Sequence, residues 1–325
     1  MTSTIPCCDI LPQPFAKSYF AQSMTKSAGS SDFLVIIPTF RRPEYLRQAV
    51  RSALTQEGAT VIAIVVDDSP ERSAEGVVRE LLDPRVVYVW NAMPTGGSPA
   101  TVRNLGLSHA LQNQIRGEFV HFLDDDDVVP TGLYRAAKEI FLKHPSVGVL
   151  FGRIDPFGDP SKEPQLTQER RFCAEAAHRA LGCYRLGRKW PIKSHTDALV
   201  RFLLTTQMMF DRSLLVCSSA LLRHECIEHI SGFDPNIRLC EDSEFYARAF
   251  RRCGPLFVDQ PFVHFRISGH SLMHTTEMST SARAEEELAV IDGIRRKQAK
   301  LRKELGLWFF AWKAFARLLR PALRQ

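Results

Sequence analysis

From residue 33 onward, short apolar runs alternate with segments of helical period. Phe33-Leu-Val-Ile-Ile-Pro-Thr-Phe40 has the length and β-branched content of a buried strand, and Pro38 marks its end. Pro43 stands where a helix starts. Leu46, Val50, Ala53 and Leu54 then follow at the i, i+4, i+7, i+8 spacing of one helical face. Val61 to Val66 is a second apolar strand, closed by Asp67-Asp68, and the pattern predicts a helix over Glu71 to Leu82 and a third strand over Val86 to Trp90. Ala100 to Leu111 reads as a helix carrying Arg103-Asn104, and Phe119 to Leu123 as a fourth strand. This alternation predicts an α/β fold, a mainly parallel sheet flanked by helices. Three of its strands end in Thr39, Asp67-Asp68 and Asp124-Asp-Asp-Asp127, and a parallel sheet gathers those ends at one edge, where open α/β sheets bind ligands.

The four carboxylates need an explanation. Like charges this close repel and raise one another's pKa unless a cation lies among them. Mg²⁺ and Mn²⁺ prefer carboxylate oxygens, and Mg²⁺ usually takes one or two of them plus substrate phosphates. An acidic loop or a helix N-terminus is the alternative.

Composition changes the picture little. With 45% hydrophobic and 24% charged residues, the 325-residue chain is that of an ordinary globular protein. No run approaches ~18 uninterrupted apolar residues, so no transmembrane helix is expected. Met1 to Asp32 lacks the layout of a signal peptide and reads as a loose tail. The eight cysteines form no CxxC pair and no zinc spacing, which points to reduced thiols in a cytoplasmic protein. Charge is uneven. Val290 to Gln325 holds ten Lys/Arg against Asp292 and Glu304, a balance of +8, so the rest of the chain carries −2 of the total +6. Such a chain is no nucleic-acid binder by charge.

Several motifs come in a fixed order: Val35-Ile-Ile-Pro-Thr-Phe-Arg-Arg-Pro-Glu-Tyr-Leu46, Val-Val-Asp67-Asp68-Ser, Arg103-Asn104-Leu-Gly and Phe122-Leu-Asp-Asp-Asp-Asp127. Further on stand Ser231-Gly-Phe-Asp234, Cys240-Glu241-Asp242 and Phe265-Arg266. In order and spacing the chain resembles family 2 glycosyltransferases over residues 33 to about 275. The resemblance implies a GT-A fold, with a nucleotide-sugar-binding half over 33–155, a mixed acceptor-binding half over 156–275 and C-terminal basic amphipathic helices over 276–325.

It also implies roles. The donor set would be Pro38, Thr39, Arg41, Asp68, Arg103, Asp124 and Asp125, with Thr39 and Asp68 at the nucleotide base. A carboxylate can accept the imide N–H of uracil or a donor on guanine. Asp67-Asp68 could equally form an Asx turn, and Arg103 could be a surface arginine. The DxD motif maps to Asp124 and Asp126, contacting ribose and the metal, whereas counting back from Pro130 favours Asp125. The family's metal-ligating His falls nearer Ser268, with His270 a candidate ligand. Asp242 would be the general base, although Asp242-Ser243-Glu244 also suits a helix N-terminus. Two departures fall near the base pocket: Arg41 where the family commonly has Asn, and Ser69-Pro70 where it commonly has Gly-Ser.

Elsewhere Asp155 to Pro164 reads as loop, Arg170–Leu181 and Thr196–Leu204 as helical, and Leu214 to Leu222 as a strand. His224 and His229 are five apart, about 140° around a helix, which does not fit the i, i+4 zinc pair. Ser281 to Glu304 reads as a charged helix, followed by an amphipathic one over Leu305 to Leu319. Leu305, Trp308, Phe309, Trp312, Phe315, Ala316 and Leu319 form its apolar stripe, and Lys313, Arg317, Arg320 and Arg324 a basic one. That pairing suits a helix lying on an anionic membrane, or one packed on the protein's own core or on a partner subunit.

The expectation is a Mn²⁺- or Mg²⁺-dependent inverting glycosyltransferase. It would take a nucleotide-diphosphosugar, a UDP-sugar favoured, and act on a glycan or lipid-linked acceptor from the cytoplasmic face of a membrane. The alternative is a catalytically silent nucleotide-sugar-binding scaffold. A sugar nucleotidyltransferase would need a Gly-rich first loop, and Pro38 to Pro43 has no Gly.

Overall fold

The computed structural model describes residues 30–159, 161, 164, 166–170, 198–210, 214–267 and 280–323. Seven strands form one sheet in the order β3-β2-β1-β4-β6-β5-β7. The first four are β1 (Ser30–Thr39), β2 (Val61–Asp67), β3 (Val86–Trp90) and β4 (Arg116–Phe122), all parallel where they pair. β6 (Ala220–Arg223) runs antiparallel to both β4 and β5 (Val149–Gly158), and β7 (Pro255–Ile267) pairs parallel with β5. The parallel half and the mixed half expected from sequence are therefore one continuous sheet.

Helices α1 (Pro43–Leu54), α2 (Glu75–Leu81), α3 (Pro99–Gln112) and α4 (Leu133–Lys143) connect the parallel half. α5 (Ala198–Phe210), α6 (His224–Ile230) and α7 (Glu241–Cys253) belong to the mixed half. α8 (Thr280–Leu305) and α9 (Trp308–Leu323) close the chain. Core packs on both sheet faces. Phe33, Val35 and Ile37 of β1 lie in one cluster with α1 and α4, while Leu34 and Ile36 join α3, α5 and α7 in the other. That alternation follows from the two-residue period of a strand.

Several boundaries differ from the sequence reading. β1 begins at Ser30, inside the expected tail. α2 starts at Glu75, not Glu71, because Asp67 accepts hydrogen bonds from the Ser69 and Ala74 N–H groups and holds the intervening residues in a turn. β5 runs through Asp155 to Gly158, which were read as loop. It pairs with β6 only over Val149–Phe151, so the absent N–H of Pro156 falls where β5 has β7 alone beside it. Leu214 to Leu222 is strand only from Ala220; Cys217–Ser219 is a single 3₁₀ turn. Of the helix expected at 170–181 only Arg170 is described, and the rest lies outside the described residues. α4 had gone unread.

α3 carries the close approach that joins these layers. A Cβ on Gly106 would stand 2.6 Å from Ile36 Cγ2 and 3.1 Å from Val66 Cγ2, so only glycine lets this helix sit down on β1 and β2.

Candidate active site

The ends of β1, β2 and β4 converge as the parallel sheet requires. Thr39 pairs with Asp67, and the Asp68 N–H donates to the Thr39 carbonyl at 3.0 Å. Pro38 is the register partner of Val66 just below. Thr39 is buried, and its hydroxyl faces the Asp125 carboxyl, which it helps to keep ionised.

Asp67 and Asp68 differ in what they hold. Asp67 shapes its turn through Ser69, Ala74 and the Tyr88 hydroxyl. Asp68, also buried, accepts from Asn91 Nδ2, the Thr95 N–H and hydroxyl, and the Gly97 N–H. Its carboxylate therefore fastens the loop after β3 to the end of β2.

Arg41 and Arg42 part company at the end of β1. Arg41 adopts φ 57°, a left-handed conformation that Asn tolerates better than other residues. Its guanidinium pairs with Glu71 at 2.8 Å on the surface, one residue past Ser69-Pro70, the other departure from the family pattern. Arg42 turns inward and lies 2.5 Å from Asp126 and 3.4 Å from Asp125. Sequence reading passed over Arg42, because nothing in a pair of adjacent arginines says which one the backbone turns toward the acids.

The four aspartates alternate. The side chains of Asp124 and Asp126 are 31% and 11% exposed, against 4% for Asp125, and Asp127 is fully buried. Asp124 and Asp126 thus face the open side. Asp127 accepts from the Arg266 N–H at 3.0 Å, and Arg266 Nε donates to the Asp126 carbonyl at 2.8 Å. Ser218, carried in by the 3₁₀ turn, accepts from the Asp124 N–H at 3.0 Å. Burial lifts the carboxyls of Asp125, to about 7, and of Asp126, with Arg42 opposing it and neighbouring aspartates adding to it. Asp127 is pushed well above the usual carboxylate range by burial and by Asp126 and Asp124. Asp125 Oδ2 and Asp127 Oδ2 remain buried without a well-formed hydrogen bond.

Arg103 joins the two halves. It is 3% exposed, and its guanidinium donates to Asp124 Oδ1 at 2.6 Å and to Glu241 Oε1 at 2.7 Å, so it is no surface arginine. The next residue, Asn104, donates to the Phe233 carbonyl and accepts from the Phe233 N–H, both at 2.9 Å. The Arg-Asn motif thus grips both the acidic run and the Ser231–Asp234 loop. Glu241, the second residue that sequence reading passed over, is the far end of that grip.

Asp242 lies in the first turn of α7. The N-cap position is Cys240, at φ 64°, and makes no side-chain cap, so Asp242 is not the capping residue. It accepts from the Ser243 N–H at 2.6 Å. Burial, then the neighbouring Glu241, lifts its carboxyl to about 7. His270 lies outside the described residues. The sheet edge therefore holds Thr39, Asp68, Arg103, the acidic run and the start of α7 together. His224 is partly buried at the start of α6, and burial holds it down to about 4, in keeping with a structural histidine.

The family model described as glycosyl transferase family 2 matches residues 34–214, more than half of the chain. The chain belongs to that family. A succinoglycan biosynthesis protein of Rhizobium meliloti, ExoO, is 29% identical over 202 residues, covering 59% of this chain and 54% of that protein. A GalNAc(5)-diNAcBac-PP-undecaprenol beta-1,3-glucosyltransferase of Campylobacter jejuni is 38% identical over 100 residues, 30% of each chain. The chain thus spans about half, or less, of the length of these relatives. Among solved structures, S. aureus TarS 1-349 in complex with UDP-GlcNAc is similar at a TM-score of 0.51 and 16% identity, covering 84% of this chain and 71% of that one. The mannosyltransferase PcManGT of Pyrobaculum calidifontis, in complex with GDP-Man and Mn²⁺, is similar at 0.51 and 14%, covering 91% and 73%. These likenesses establish the GT-A fold.

Proposed function

We propose that this chain transfers a glycosyl unit, with inversion, from a nucleotide-diphosphosugar to a hydroxyl of a glycan or lipid-linked acceptor. The observation that carries the reading is the bridge from Asp124 through Arg103 to Glu241, which sets the acidic strand end against the helix whose first turn carries Asp242. The name of the Campylobacter relative supports a lipid-linked acceptor, and a UDP-sugar is the favoured donor.

Asp242 would act as general base. With its carboxyl lifted to about 7, it is poised to take the proton of the acceptor hydroxyl near neutral pH. As that proton leaves, the oxygen bonds to the anomeric carbon from the face opposite the diphosphate. The anomeric C–O bond breaks, and its electron pair departs with the nucleoside diphosphate. Thr39 and Asp68 border the pocket for the base, where Asp68 would have to release part of its hold on Thr95 and Gly97 to reach it.

The acidic run fits a divalent cation. Carboxyls lifted by burial and then by one another, with Asp125 Oδ2 and Asp127 Oδ2 short of a well-formed hydrogen bond, mark a shortage of positive charge that Arg42 alone does not meet. No three acidic, His or Cys side chains among the described residues form a ready-made cage, so substrate phosphates would complete the shell. Asp124 and Asp126, the two on the open side, would hold Mn²⁺ or Mg²⁺. When bound, the cation neutralises charge gained by the departing diphosphate.

Thermal shift with UDP, GDP, dTDP and CDP, with and without Mn²⁺, tests the donor site. A metal-dependent rise for one nucleotide, absent in Asp126→Ala, is expected; no shift with any nucleotide would overturn the reading.

A further inference from the structure

The surface that the nucleotide site leaves unused is the elbow between α8 and α9, where Gly306 at φ 55° breaks the helix. The structure divides the apolar stripe expected of this segment. Phe309 and Ala316 are buried, and the Trp312 indole N–H donates to Thr206 Oγ1 at 2.6 Å while its ring stacks on Phe202 at 5.1 Å. That half of the stripe is consumed by α5. Of the stripe, Trp308 at 77% exposure and Phe315 at 39% stay outside, and beside Trp308 stand Leu307 at 87% and Phe310 at 53%, which the stripe did not include.

Leu307, Trp308 and Phe310, so exposed at one corner, mark a surface for something other than water. Its surroundings are cationic. Arg302 stands over the Phe310 ring at 5.4 Å, Lys303 is exposed beside it, and Arg317 is exposed seven residues past Phe310, on the same side of α9. The acid of this corner, Glu304, is already neutralised by Arg251 and Arg252. Apolar and aromatic tips flanked by unpaired cations match the layered chemistry of a bilayer interface, acyl chains beneath anionic headgroups.

We propose that this elbow seats on an anionic phospholipid bilayer, with Leu307, Trp308 and Phe310 entering the interface and Arg302, Lys303 and Arg317 meeting headgroup phosphates. α8 ties that seat to the catalytic helix. Lys297 Nζ donates to Ser243 Oγ at 2.9 Å and to the Met208 carbonyl at 3.0 Å, and Lys300 pairs with Asp234 at 2.6 Å and Glu244 at 3.3 Å. A seated elbow therefore holds α7 at a fixed attitude to the membrane. The inference rests on the glycosyl-transfer reading for its purpose, but vesicle binding needs neither donor nor acceptor, so each can fail alone.

The full chain is floated with phosphatidylcholine vesicles, with and without phosphatidylglycerol. The wild type is expected to bind the anionic vesicles. Leu307→Asp/Trp308→Asp should lose binding on the order of a hundredfold. Arg302→Gln/Lys303→Gln should lose about thirtyfold at low salt. Both variants should keep the wild-type melting temperature and nucleotide shift, because the altered side chains are exposed. Wild-type protein that ignores anionic vesicles, binds neutral ones equally well, or binds unchanged in the Asp variant would overturn the proposal. So would a concentration-dependent dimer lost in that variant, which would give the surface to a second copy of the chain.

Discussion

On one side of the site, sheet register brings the polar ends of β1 and β2, and the acidic run just past β4, to a common edge. Thr39, Asp67 and Trp90 are successive register partners across β1, β2 and β3. On the other side, β6 is four residues long and β5 and β7 slip register around Gly152 and Arg153, so its strand ends present no such row. The functional groups there arrive on helix and loop ends instead: Ser218 on a 3₁₀ turn, Phe233 in a loop, Glu241 and Asp242 at the start of α7. The parallel half positions by regularity. The mixed half positions by individual side-chain bonds, and these can be cut one at a time.

The largest effect should come from Asp242→Asn. Loss of a general base lowers turnover by about 10²- to 10⁴-fold, while the nucleotide shift stays intact; full turnover in single-turnover kinetics would remove Asp242 from the role. Arg103→Ala leaves Asp124 and Glu241 without their shared partner. Breaking a buried pair in this way costs about 3–5 kcal/mol, read as a lowered denaturation midpoint, and Arg103→Lys should not restore it because one ammonium lacks the two-pronged fork.

Asn104→Ala strands the Phe233 N–H and carbonyl, a loss of about 1–3 kcal/mol for an unsatisfied buried group. Its mark should be weaker acceptor use with donor binding kept; equal damage to both would dissolve the distinction between the halves. The pH profile sharpens it further. A base must be ionised, and Asp242 is protonated below about 7, so turnover should rise with pH through that value. Glu241→Gln removes a neighbouring negative charge, which should move the rising limb to lower pH. The smallest effect is Arg41→Asn. It relieves a left-handed arginine at the cost of an exposed ion pair and should raise stability by under about 1 kcal/mol.

The same difference explains what the sequence could reveal. The parallel half was legible because apolar runs of strand length and a helical period are local signals, and register then forces Thr39, Asp68 and the acidic run together. In the mixed half, Asp155 to Gly158 looked like loop because its Pro and Gly are turn residues, and only pairing with β7 alone makes a strand there tolerable. Leu214 to Cys217 was apolar enough for a strand but gave way to the turn that delivers Ser218 to the acidic run. Arg42 and Glu241 stayed hidden for another reason. Whether a charged side chain turns inward depends on one backbone torsion at Arg41 in the first case, and in the second on a partner 138 residues away. The apolar stripe of α9 had the right period, but how much of it α5 would cover depends on packing between distant segments.

The Arg103-Asn104 pair also defines a joint for recombination. Beyond the strand pairing that makes the sheet continuous, it contributes two correspondences between the halves: guanidinium to Glu241, and amide to the Phe233 backbone. A hybrid that grafts a foreign second half onto this first half must bring a Glu in place of Glu241 and a loop that offers one backbone N–H and one carbonyl to the amide. It must also bring a strand to pair with β4 and partners for the acidic run in place of Ser218 and Arg266. On the proposed division of labour, acceptor preference would travel with that segment while the donor site keeps its own chemistry.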